Sequence, residues 1–157
     1  ITQRGQLMYT LERKQTIAAS QQEAWDFLSN PYNLSKITPP EMNFQVLDAI
    51  PEIIYSGLLI RYHVRLPVLG KRLWVSEIKH VRPGISFVDE QRTGPYRFWY
   101  HYHEIQEVEG GTMFIDRVSY RLPMEPLGRL AHPLFVRRQL EGIFAYRRRI
   151  LAELFPE

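Results

Sequence analysis

Cysteine is absent from all 157 residues, which excludes disulfides, thiolate nucleophiles, thiolate zinc sites and iron–sulfur ligation together. No apolar run approaches the roughly 20 residues that span a bilayer, and no basic-then-apolar leader pattern opens the chain. With no cysteine to argue for an oxidising compartment, a cytoplasmic protein without a transmembrane segment is expected. Phosphate-cradling glycine motifs, a nucleophile elbow and a zinc-binding helix motif are also missing. No cofactor is expected.

Charge of one sign is scarce: 20 Lys and Arg against 17 Asp and Glu leave a net charge of +3. Much of the excess lies near the end, where Arg137, Arg138, Arg147, Arg148 and Arg149 fall on one predicted helix. These read as a solvated face, and no nucleic-acid partner is expected, because no basic stripe or recognition motif accompanies them. A basic helix that docks on a partner protein is the alternative.

The stretch from Phe87 to Leu122 is rich in aromatic and β-branched residues that alternate with polar ones around Gly110-Gly111. This predicts two long strands and a tight turn at Glu109–Gly111. If Val108 pairs with Gly111, Trp99 faces Tyr120 and His103 faces Asp116. One face then carries Trp99, His101, His103, Ile105, Thr112, Phe114, Asp116, Val118 and Tyr120, and this face is expected to look inward.

Upstream, weak alternation from Tyr9 to Ala18 suits a first strand. Ser20 with Glu23 is a capping-box pattern that starts a helix at about Gln21. A second short helix is expected over Tyr32–Ile37, ended by Thr38-Pro39-Pro40. Strands follow at about 43–49, 57–66, 71–81, 85–92, 97–108 and 112–122, separated by turn signals such as Arg82-Pro83-Gly84 and Thr93-Gly94-Pro95. Leu127–Pro133 reads as a loop, and Leu134–Phe155 as a long helix with Val136, Leu140, Ile143, Phe144, Ile150, Leu151 and Leu154 on its apolar side. The expected class is α+β: seven antiparallel strands in a curved sheet, two short helices after the first strand, and a terminal helix that closes the concave face. One domain over residues 1–157 accounts for the length; such a chain buries roughly 70% of its unfolded surface.

Several motifs then point to a family. Thr38-Pro-Pro-Glu-Met-Asn-Phe44, the F-x-D-x-Q-x-x-G-P-Y of Phe87–Tyr96, the W-x-H-x-H of Trp99–His103, the G-G-T-x-x-x-D-x-V-x-Y of Gly110–Tyr120 and the I-F-x-Y-R-x-x-x-L of Ile143–Leu151 resemble the START/SRPBCC superfamily. Within it the chain looks most like the small polyketide cyclase/dehydrase-like or ligand-binding proteins. The resemblance runs from about Tyr9 to Phe155. It implies the helix-grip, birch-pollen-allergen-like fold: a seven-stranded sheet curled around the C-terminal helix with a hydrophobic cavity between them. The superfamily includes lipid carriers, plant hormone receptors and aromatase/cyclases, so it implies a container more than a particular content.

Three kinds of chemistry fit these residues. A pocket of roughly 300–1,000 Å³ for a small hydrophobic ligand, aromatic, polyketide-like or lipid-like, would be lined by Tyr62, Trp74, Phe87, Asp89, Gln91, Trp99, His101, Phe114, Val118, Leu140, Ile143 and Phe144. The same rings filling a dry core is the alternative. Acid/base catalysis of a cyclase/dehydrase kind would use His103, Asp116 and Tyr120, against the alternative of a polar network that holds two strands in register. His101, His103 and Asp116 also share one sheet face, as some metal ligand sets do, but spacing alone does not imply coordination and no metal is expected. An interaction module with a vestigial cavity is the remaining reading.

Overall fold

A computed structural model describes residues 8–123 and 135–156. Seven strands, β1 (Tyr9–Ile17), β2 (Gln45–Val46), β3 (Leu59–Leu66), β4 (Gly70–Arg82), β5 (Ser86–Thr93), β6 (Phe98–Val108) and β7 (Gly111–Arg121), form one antiparallel sheet ordered β1-β7-β6-β5-β4-β3-β2. Helix α1 spans Gln21–Leu28, and 3-10 turns cover Pro31–Ser35 and Pro40–Met42. Helix α2 runs Arg137–Leu154. The loop expected over Leu127–Pro133 falls outside the described residues.

Local chemistry sets these boundaries. Ser20 accepts from the Glu23 amide while the Glu23 carboxylate accepts from the Ser20 amide, so the predicted capping box starts α1. The second short helix is a 3-10 turn, with Pro31 in its first turn and the Asn30 side chain as its cap. Strand β2 is far shorter than the expected 43–49. Asn43, at φ 42°, turns the chain in the left-handed region just after Pro40–Met42, so pairing starts late.

The β6–β7 register is the expected one: Val108 pairs with Gly111, Trp99 with Tyr120 and His103 with Asp116. Register shifts in β4, at Val75/Ser76 and at Lys79/Arg82, the second with His80 at φ 51°, bend the sheet as bulges do. Helix α2 crosses the concave face. Leu140, Phe144 and Leu151 join the core of inward strand residues, and Gln15 of β1 donates to the Arg148 carbonyl. Leu154, expected on the apolar side, is exposed instead. Trp25 of α1 meets Phe87 edge-on, and Phe27 meets Phe155, which ties the two helices together.

Candidate functional site

The inward face of β6–β7 meets α2 at Asp116. His101 Nε2 lies 2.8 Å from Asp116 Oδ1, a hydrogen bond in the tautomer that carries its proton on Nε2. His103 Nδ1 lies 3.1 Å from the same oxygen but out of line for a good hydrogen bond. The register puts His103 directly across from Asp116, yet the better bond comes from His101, the diagonal neighbour. The two imidazoles stack at 3.7 Å, Phe87 stacks on the far side of His103 at 4.5 Å, and Phe144 closes over His101.

The fourth member is Arg147, whose Nη1 lies 3.3 Å from Asp116 Oδ1. It is 6% exposed and does not share the solvated face expected of the helix's arginines; Arg137, Arg138, Arg148 and Arg149 are the exposed ones. The stripe that buries it was visible in the sequence. Leu140, Phe144, Arg147 and Leu151 recur at the 3- and 4-residue intervals of one helix face. Its charge class concealed it.

Electrostatics follow from these contacts. Burial on its own raises the Asp116 carboxyl, but Arg147 and the two imidazoles outweigh it and hold the group well below the usual carboxylate range. Burial, helped by His101, pushes His103 down to about 3 despite Asp116. Asp89, on neighbouring β5, is raised by burial against a hydrogen bond from Ser76. Two imidazoles and a carboxylate offer ligand atoms within 4.8 Å of one another, a donor set that suits a transition metal. The Arg147 guanidinium already supplies a fixed cation to that carboxylate, which works against a second one.

Above this cluster the interior is incompletely filled. A hollow of about 80 Å³ is lined by Phe27, Leu34, Ile60, Tyr62, Phe87, Asp89, His101, His103 and Arg147, among others. A second, of about 110 Å³, adds Trp74, Tyr96, Trp99, Leu140, Ile143 and Phe144, and shares Leu34, Phe44, Tyr62, Asp89, His101 and Arg147 with the first. Both are smaller than the expected 300–1,000 Å³, because the stacked Tyr62–Trp74 pair and the edge-on Trp74–Trp99 pair occupy the middle. The larger hollow adjoins an open groove of about 600 Å³ between Pro39–Met42, the β3–β4 turn and α2, with Met42, Leu66, Gln139 and Ile143 lining both.

Neither a protein-family model nor a curated protein sequence matches the chain. Solved structures do. The Zhui aromatase/cyclase from Streptomyces sp. R1128 superposes with a TM-score of 0.69 at 15% identity, over 96% of this chain and 98% of that one. Ginseng major latex-like protein 151 from Panax ginseng gives 0.70 at 10% identity, over 96% and 99%. A nucleoside-diphosphate sugar epimerase from Corynebacterium glutamicum gives 0.65 at 26% identity, over 91% of this chain and 28% of that one. The chain has the helix-grip fold, a seven-stranded antiparallel sheet closed by a long C-terminal helix.

Within the helix-grip, the residues singled out from the sequence divide. Tyr62, Trp74, Phe87, Asp89, Trp99, His101, His103, Leu140, Ile143 and Phe144 line the hollows. Phe114 and Val118 pack in the core beside them. Gln91 spends its side-chain amide on the Gly94-Pro95 turn, donating to the Tyr96 carbonyl and accepting from its amide. That turn aims Tyr96, which sequence reasoning did not select, into the larger hollow. Tyr120 stands four residues from Asp116 along β7, about 13 Å away. Its ring stacks on Tyr9, and burial pushes its hydroxyl up to about 12. It does not line either hollow.

Proposed function

We infer that this chain, as a single domain, binds a small hydrophobic molecule between the sheet and α2. The supporting observation is a pair of ring-lined hollows that share six residues, the larger of which adjoins an open groove. Their size favours a guest of about one ring; a polyketide- or lipid-sized guest requires α2 to move outward. A cytoplasmic location goes with this reading; among the described residues, no helix is long and apolar enough to cross a membrane.

Titration with toluene, a neutral single-ring probe, is expected to give saturable NMR shifts at Tyr62, Trp99 and His101. Ile143→Trp, at the junction of groove and hollow, should abolish them with the fold retained. Unsaturable shifts, or shifts indifferent to the block, would remove the reading.

A second reading, acid/base catalysis of the cyclase/dehydrase kind, draws support from Asp89. Burial keeps this carboxyl toward its protonated form in the same space that His101 and His103 face. Asp89 then assists His103 and Asp116 in place of Tyr120, which lines neither hollow. Under this reading His103→Ala or Asp116→Asn lowers turnover by orders of magnitude in a folded protein.

A further inference from the structure

Arg147 and Trp74 carry hydrogen-bond donors that have no partner among the described residues. Arg147 gives Nη1 to Asp116, while its Nε and Nη2 have no partner among the described residues. The Trp74 indole Nε1 is likewise unpartnered. Both side chains are more than nine-tenths buried, and both line the 110 Å³ hollow. A guanidinium has five N–H donors in a fixed fork and no acceptor, so two buried donors left without acceptors are costly.

The unused edge has a definite shape. Nε–H and Nη2–H of a guanidinium point the same way, and together they fit the two oxygens of a carboxylate. This protein uses that edge elsewhere: on the surface, Arg61 holds Asp48 through Nε at 2.7 Å and Nη2 at 2.5 Å. On Arg147 the same edge has no acceptor among the described residues. Water is the competing occupant, since these donors and the unpartnered Asp89 Oδ1 supply the two to four polar partners it needs.

We propose that Arg147 and Trp74 form an anchor for the carboxylate of a small aromatic acid, whose ring lies among Tyr62, Trp99 and Phe144. This rests on the ligand-binding reading above and narrows its ligand class from hydrophobic molecules in general to apolar acids. Asp89 shares the hollow, and burial raises its carboxyl above the usual carboxylate range. The adjoining groove at Met42, Leu66, Gln139 and Ile143 supplies the route in.

The test is calorimetric titration with benzoate and with benzamide, its uncharged counterpart of the same size, on the wild-type chain and two variants. Benzoate is expected to bind at least about tenfold more tightly than benzamide. Arg147→Lys, which keeps the charge and loses the fork, should remove most of that preference. Trp74→Phe, which keeps a ring and loses the donor, should weaken benzoate several-fold and leave benzamide nearly unchanged; it also covers the case in which the arginine variant does not fold. Equal affinity for the two probes overturns the anchor while leaving the hydrophobic cavity standing. Benzoate binding that ignores both substitutions overturns it as well. If neither probe binds and toluene also fails, the cavity reading falls with it.

Discussion

Asp116 is the residue on which the interior turns, because one carboxylate oxygen serves two imidazoles and a guanidinium at once. Its pKa is depressed in the folded chain, so its contribution to stability is present above its ordinary unfolded value of about 4 and is lost as pH falls through the folded value. His103 acts earlier on the scale. Its folded value of about 3 lies below an unfolded value near 6.5, so the unfolded chain takes up a proton that the folded chain refuses. Stability is therefore expected to be full above about pH 6.5 and to fall on acidification by up to about 1.4 kcal/mol per pH unit for this one proton. Urea midpoints measured from pH 8 to pH 4 check this, with His103→Asn expected to flatten the slope between 6.5 and 4. A midpoint that rises as pH drops from 7 to 5 would contradict the assignment. At this scale much of the site was legible: alternation alone put Asp89, His101, His103 and Asp116 on one face. Arg147 was not recognised, because an arginine in a run of arginines was taken for a surface residue although its helical spacing matched Leu140, Phe144 and Leu151.

Among the elements, the β6–β7 hairpin governs the site, since its register decides which groups meet Asp116. Gly111 pins that register. Its φ is +148°, and a Cβ there would run into the Ile17 carbonyl oxygen on β1. Gly111→Ala is accordingly expected to cost more than about 1 kcal/mol and to loosen the β1–β7 edge; Gly110→Ala has a positive φ but open space around it and should cost less. Chemical denaturation of the two variants side by side measures the difference, and equal losses would show that the carbonyl contact does not matter. The hairpin was readable because turn chemistry and alternation agree there. β2 was misjudged in length because nothing in the periodicity of 43–49 announces a left-handed Asn43. The role of Gln91 was likewise hidden, since a hydrogen bond from a strand to the following turn leaves no periodic trace.

At the scale of the whole molecule, α2 closes a bent sheet and leaves hollows smaller than the fold family led us to expect. The sequence carried the closing helix but not the remaining volume, which depends on how Tyr62, Trp74 and Trp99 pack together. Leu140 is a direct handle on that volume, being buried and in contact with the larger hollow. Leu140→Ala is expected to lose about 2–5 kcal/mol and to admit naphthalene where the wild-type chain admits only toluene. Thermal unfolding and NMR titration test the two halves of this prediction, and a loss without gain of the larger guest would mean that the site collapses around the missing side chain. The pairing of β1 with β7 has one more consequence, for the order in which the chain assembles. Among the described residues the first strand pairs only with β7, roughly a hundred residues downstream, so it cannot dock until β7 has been synthesised. During translation the amphipathic N-terminal ribbon and its small helix must wait unpaired, and a slow, topology-limited refolding rate is the kinetic signature of that wait.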